Sequence, residues 1–352
     1  MSRKIAIGIV FATLIFTFLP KSFSGDTSSL LASESIISYD LMSEEWEPKS
    51  ETGTPGKDFE FDPYRSGFTL NYRDKAIPYE LFSVFVLPGD HLQFSLDDAE
   101  PDEIMLASRD VFYRTHNGKS WVLYAPAETG IYNVDFIRTR NNDRIRVQLF
   151  VMVPHSDIEN GYLNGYRMGA YPTTPLNGNP AYLPPRGFVE VTRDNMHRRV
   201  SPHFTLGQFL CKQEGGFPKY VVLQERLLLQ LEHVLEESNK LGYRANTFHV
   251  MSGYRTPWYN QRIGNGRYSR HIYGDAADIF IDTGNGMMDD LNGDGVVDRK
   301  DAKLLFDLID SIQRDADETY RQGGLGLYGP RPWRGPFVHV DGRGHYARWT
   351  LD

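Results

Sequence analysis

Two short apolar strands, each carrying ionisable side chains, constrain the fold of this chain more than any other feature. The first closes the run Ser269-Arg270-His271-Ile272-Tyr273-Gly274-Asp275-Ala276-Ala277-Asp278. The second is Phe337-Val338-His339-Val340-Asp341, whose histidine lies sixty-one residues beyond Asp278. Side chains alternate across a strand, so residues 337, 339 and 341 share one face, as do Asp278, Phe280 and Asp282. Pairing the two strands sets His339 beside Asp278. His271 lies in the loop entering the first strand, where it can turn back onto the same point. Two imidazoles and a carboxylate form a three-ligand set with a fourth position open, the arrangement of a catalytic rather than a structural zinc site.

The chain has 352 residues, a length that suggests two domains plus extras. Apolar residues at 40% and aromatics at 13% are ample for buried cores. The net charge of -8, with no Lys/Arg-rich block, argues against nucleic acid as a partner. Arg3 and Lys4 precede the apolar run Ile5 to Leu19, and Ser22-Phe23-Ser24 offers small residues at cleavage spacing. Residues 1–24 therefore read as a secretory signal, and the mature chain is expected to be periplasmic or secreted without stable membrane insertion. The run is short for a membrane span, although an uncleaved anchor is the alternative. Cys211, the only cysteine, lies in an apolar stretch and reads as a small buried hydrophobe.

Residues 25–60, rich in Ser, Glu, Gly and Pro, read as a flexible linker. Over 61–155 the pattern has period two: Leu92, Phe94 and Leu96; Tyr132, Val134 and Phe136; Ile145, Val147, Leu149, Val151 and Val153. Turn signals such as Pro88-Gly89-Asp90 and Asn141-Asn142-Asp143 separate the runs. An all-β sandwich of immunoglobulin-like type is expected there, as spacer or scaffold. Residues 156–200 carry many Gly, Pro, Tyr and Asn and read as an ordered connector or a lid. From 201 to 352 the pattern mixes elements. Leu223, Leu227, Leu231, Val234 and Leu235 form a helical stripe stopped by Gly242, and strands are expected near Val250, over 276–282 and over 337–341. The expected class is α+β, with helices and a small antiparallel sheet.

Taken together, Ser252-Gly253-Tyr254-Arg255, Asn260, Ser269-Arg270-His271, Gly274, Ala276-Ala277-Asp278 and Val338-His339-Val340-Asp341 resemble the zinc D-alanyl-D-alanine peptidases of the hedgehog/DD-peptidase fold. Gly323-Gly324-Leu325-Gly326-Leu327-Tyr328 and Trp349 look most like the murein endopeptidase branch of MepK type. The resemblance covers about residues 201–352. It implies that His271, Asp278 and His339 hold zinc and that peptidoglycan peptides are the substrate. It also implies that Arg255 holds a substrate carboxylate or the oxyanion formed at the cut carbonyl, a role suited to a guanidinium with paired donors. Asn260 reads as a structural hydrogen-bonder. No Gly-x-Ser-x-Gly elbow points to serine catalysis.

One departure from the resemblance bears on mechanism. Several relatives place an acidic residue three positions before the last zinc histidine, as general base; here that position is Pro336. Asp341 is the first candidate for the missing base, with a carboxylate that merely orients a zinc histidine as the competing reading. His345 is the second and Asp275 the third. The missing acid leaves open a non-catalytic peptidoglycan-binding or structural envelope protein.

A second metal loop is expected within an insertion at about 284–315. Asp290, Asn292, Asp294, Asp298 and Asp301 place oxygens at loop positions 1, 3, 5, 9 and 12, Gly295 takes the tight turn, and Val296 offers its carbonyl. The aspartate at position 12 resembles dockerin-type calcium loops. A helix with Leu304, Leu305, Leu308 and Ile312 on its apolar side is expected to follow. The oligomeric state is not legible.

Overall fold

Alternating apolar residues over 65–151 build two β-sheets. The structure is a computed structural model that describes residues 59–96, 103–116, 119–315 and 323–351, all within one compact unit, Asp40–Asp352. The expected signal peptide (1–24) and nearly all of the expected linker (25–60) lie outside the described residues. The first sheet is antiparallel, in the order Lys75–Tyr79, Arg65–Tyr72, His91–Ser95, Ser120–Tyr124, Phe112–His116. The second runs Leu81–Val86, Arg144–Val151, Gly130–Arg138, Ile104–Ala107, and its first pair is parallel. The sheets face each other through Phe94 and Trp121 against Phe136, each at 5.4 Å between ring centroids.

Leu81–Val86 is buried on both faces, and so is nearly all of Arg144–Val151. Contacts with the C-terminal half meet this part of the molecule. The Glu225 carboxylate at the start of helix α1 (Glu225–Lys240) accepts the Phe85 amide at 3.2 Å, and Arg65 donates to Glu236 of the same helix at 2.7 Å. Within the stretch 156–200, the strand Gly187–Val191 pairs with both Val153–Pro154 and Lys219–Val221. Its buried tyrosines are packing residues. The Tyr171 hydroxyl meets that of Tyr254 at 2.7 Å, and Tyr182 stands edge-on to Tyr273 at 5.6 Å.

Leu227, Leu231, Val234 and Leu235 of α1 are buried, as the stripe requires. The site rests on a five-stranded sheet ordered His249–Ser252, Ala276–Phe280, Phe337–Asp341, Gly324–Tyr328, Ala347–Leu351. The expectation of a purely antiparallel sheet is corrected at one edge, where Ala347–Leu351 pairs parallel to Gly324–Tyr328. The chain leaves the His339 strand, bends over 342–346, and returns on the far side of the Gly324 strand, which fixes its direction. After the short helix α2 (Pro257–Arg262), helix α3 (Arg299–Asp315) has Ala302, Leu305 and Ile309 as its most buried apolar residues, so of the expected Leu304, Leu305, Leu308 and Ile312 side Leu305 is buried and the other three are partly covered. Among the described residues no helix is long and apolar enough to cross a membrane.

Candidate metal centre

Sheet register assembles the site. Ser252 pairs with Asp278, Asp278 with His339, His339 with Gly326, and Gly326 with Trp349, forming one row across all five strands. His271 comes from the single 3-10 turn Arg270–Tyr273 that leads into the Asp278 strand. All three side chains are buried, and one ligand atom from each lies within 4.8 Å of the others. Asp278 Oδ1 is 3.3 Å from His271 Nε2 and 2.8 Å from His339 Nδ1. Tetrahedral zinc, with ligands at about 2.0–2.2 Å, holds donor atoms roughly 3.4 Å apart. The nitrogen, oxygen and nitrogen donors and their spacing fit zinc.

Each ligand is aimed by a partner on its other side. His271 Nδ1 donates to the Gly253 carbonyl at 2.7 Å, which leaves Nε2 facing the centre. His339 Nε2 faces Asp341 Oδ2 at 2.9 Å, which leaves Nδ1 inward. Arg255 donates to Asp278 Oδ2 at 2.6 Å and to Ser252 Oγ at 2.9 Å, which leaves Asp278 Oδ1 inward. Such outer partners fix ring orientation and ligand basicity. The electrostatics are tightly coupled. Burial pushes the His271 imidazole down. Burial would raise the Asp278 carboxyl, but His271 and His339 outweigh it and hold it well below the usual carboxylate range. Burial would lower His339, but Asp278 and Asp341 outweigh it and raise it to about 9.

Two glycines make room for the far wall. A Cβ on Gly326 would stand 2.5 Å from the Trp349 indole, so glycine lets that ring lie across the strand, 5.3 Å from the His339 ring. Trp349 Nε1 donates to the Tyr328 hydroxyl at 2.9 Å. The phenol, raised by burial, keeps its own proton available to donate. A Cβ on Gly324 would stand 2.5 Å from both Asp341 Oδ2 and Arg343 Nε, so this glycine admits the Asp341–Arg343 pair. Sequence reasoning noted Gly324, Gly326, Tyr328 and Trp349 only as a resemblance. The signal it lacked was the period-two alternation Gly324-x-Gly326-x-Tyr328, which marks one face of a strand over which bulky groups lie.

The other candidates fall as follows. Asp341 is fully buried, and its oxygens accept from Arg343, the Gly324 amide and His339. His345 is exposed on the bend between the last two strands. Asp275 is buried and paired with Arg270 in two contacts. Asn260 is buried and donates to the Gly266 carbonyl at 3.0 Å. Cys211 is buried, and burial raises its thiol, which keeps it protonated and inert.

The oxygens of the expected calcium loop bond the loop's own amides in this structure. Asp290 accepts the amides of Gly293, Asp294 and Gly295. Asn292 accepts the Asp294 amide, and Asp294 that of Val296. Asp298 accepts the Lys300 amide while Asp301 accepts the Asp298 amide, a capping box at the start of α3. Asp301 also accepts the amides of Leu291 and Asn292. The Lys300 ammonium lies 3.0 Å from Asp294 and 3.7 Å from Asp298. Loop amides and one lysine thus bond the oxygens of this loop. Among the described residues His271, Asp278 and His339 form the one cluster of His, Cys, Asp or Glu able to hold a metal.

A sheet-borne His/Asp/His set with an oriented outer layer is a donor set able to hold one metal ion, and its atoms suit zinc. The sequence comparison points the same way. Residues 202–288, about a quarter of the chain, match the family model described as Peptidase M15, a family of zinc-dependent peptidases. The match contains Arg255, His271 and Asp278 and ends before His339. No curated protein matches the chain.

Proposed function

We propose that this chain is a zinc peptidase that hydrolyses peptide bonds in peptidoglycan stem peptides or cross-links, in the periplasm or outside the cell. The observation that carries this reading is the convergence of His271 Nε2, Asp278 Oδ1 and His339 Nδ1, each aimed by its own outer partner. When bound there, zinc acts as a Lewis acid that polarises a carbonyl and acidifies water.

The protein's own groups do the rest. Asp341, engaged with His339 and Arg343, orients the imidazole and is not a free base. Arg255 holds the outer oxygen of Asp278 and so fixes the ligand rather than the substrate. Tyr328, anchored by Trp349, is placed to donate its proton in a hydrogen bond to the oxyanion as charge develops on the carbonyl. The resemblance to the MepK-type branch supports endopeptidase over carboxypeptidase action.

One observation favours a second reading. Pro336 stands at the usual base position, Asp341 is fully engaged, Asp275 is paired with Arg270, and His345 is exposed, so none of the expected bases is poised at the centre. A peptide-binding protein that keeps its metal needs no such base. Digestion of purified muropeptides followed by mass analysis decides. The peptidase reading predicts cleaved stem peptides from the zinc-loaded chain and none from His271→Ala. Intact muropeptides with a fully zinc-loaded chain would contradict it.

A further inference from the structure

The strand Gly324–Tyr328 leaves the site at Tyr328 and returns as Phe337 after a short turn. Tyr328 and Phe337 are register partners, stacked at 4.4 Å, on the face that carries His339. The turn between them is pinned at its base, where the Arg331 and Arg334 backbones exchange hydrogen bonds of 2.8 and 3.1 Å. Trp333 at its tip is 79% exposed. The Arg334 guanidinium folds back over the aromatic pair, 4.7 Å from the Phe337 ring and 5.8 Å from the Tyr328 ring. Its Nη1 donates to the carbonyls of Gly329 and Gly335, at 2.6 and 3.2 Å.

This arginine differs from the other guanidiniums around the centre. Arg255 is taken by Asp278, Arg270 by Asp275, and Arg343 by Asp341. Among the described residues no carboxylate pairs with Arg334. Partial burial and the neighbouring Arg331 hold the Arg334 guanidinium below its ordinary range. An oriented, partly desolvated cation with unused donors on an aromatic platform is built to receive an anion.

We infer that Arg334 is the substrate-binding guanidinium of the cleft, gripping a carboxylate of the bound peptide beside the metal centre. The inference rests on the peptidase reading for the identity of the ligand as a peptide. The carboxylate is either the terminal one or one on a side chain, and the two share the same chemistry. Arg334 therefore takes the role that the sequence alone assigned to Arg255, and it sets which peptides are accepted rather than the rate of bond cleavage.

The test compares wild type, Arg334→Gln, Arg334→Lys and the exposed-turn control Arg331→Gln. The probes are a stem peptide with all carboxylates free, the same peptide with its terminal carboxylate amidated, and one with its side-chain carboxylates amidated. Calorimetric affinity is measured beside KM and kcat. Loss of a charge-assisted fork predicts roughly ten- to hundredfold weaker binding and a matching rise in KM for Arg334→Gln, with kcat little changed. Arg334→Lys recovers part of the loss, and Arg331→Gln stays near wild type. Amidating the recognised carboxylate weakens wild-type binding similarly and removes the difference between wild type and Arg334→Gln, which also identifies the source. Binding without cleavage that is lost in Arg334→Gln would overturn the peptidase reading and leave this inference standing. Equal affinity of wild type and Arg334→Gln for the free-acid peptide, or no binding by wild type, would overturn the inference whatever the activity.

Discussion

The His271–Asp278–His339 centre and the Asp290–Asp301 loop offer the same kind of ligand atom, yet they resolve it in opposite ways. In the centre, Asp278 and His339 stand on paired strands, so the neighbouring backbone amides are committed to the sheet ladder. The side chains must then satisfy one another, and they converge. In the loop, the amides of residues 291–300 lie outside regular structure except at the start of α3. The carboxylates turn inward and take those amides. Oxygen count and spacing are alike in kind. What differs is whether the backbone competes for the oxygens.

The largest effect expected from this contrast is at a ligand. His271→Ala should reduce both zinc retention and peptide cleavage to background, as read by metal analysis and muropeptide digestion, because a two-ligand remnant no longer encloses the ion. Retained zinc with retained activity would break the contrast from the side of the centre. Next is the orienting layer. Asp341→Asn should cost about 10- to 100-fold in zinc affinity or activity, measured by competition with a chelator, because His339 loses the partner that aims it. A change below about threefold would show that Asp341 does not aim the ring.

The third prediction concerns the loop. Asp301→Ala leaves three backbone amides without their acceptor in a buried place, and should destabilise the fold by about 1–3 kcal/mol in denaturant unfolding. Millimolar calcium should leave the wild-type unfolding midpoint where it is. A calcium-dependent rise in that midpoint would break the contrast from the side of the loop.

The smallest effect lies between the β-sheets and α1. Burial would raise the Glu236 carboxyl, but Arg65 and Lys240 outweigh it and hold it below its ordinary value. A depressed carboxyl contributes stability above the unfolded pKa and loses it as pH falls through the folded one. Glu236→Gln should therefore cost up to about 1 kcal/mol at pH 7, discounted because the Arg65 side chain is 41% exposed, and progressively less under acid conditions. An unfolding free energy that differs from wild type equally at pH 7 and under acid conditions would remove the charge from the explanation.

Much of the centre was legible before the fold. Alternation in Phe337–Asp341 places His339 and Asp341 on one face, and the apolar run before Asp278 marks its strand, so the pairing of Asp278 with His339 follows from side-chain direction alone. The distinction between Asp341 as base and Asp341 as orienting group was not legible. It depends on which imidazole nitrogen faces inward, and that is set by the register with Gly324 and the reach of Arg343. The loop pattern lists oxygens without the amides that bond them, so those bonds were not legible. Asp298 and Asp301 satisfy the start of α3 with the same atoms. Arg334 was missed because its position over Phe337 and Tyr328 arises from a turn that folds back on its own strand, which spacing along the chain does not reveal.

Anomalous scattering at the zinc absorption edge, recorded from crystals of zinc-loaded protein, addresses the metal assignment without passing through activity. The account predicts a single strong peak enclosed by His271 Nε2, Asp278 Oδ1 and His339 Nδ1, and none inside the Asp290–Asp301 loop. A protein whose only peak lies elsewhere, with those three side chains still joined by hydrogen bonds alone, would contradict it.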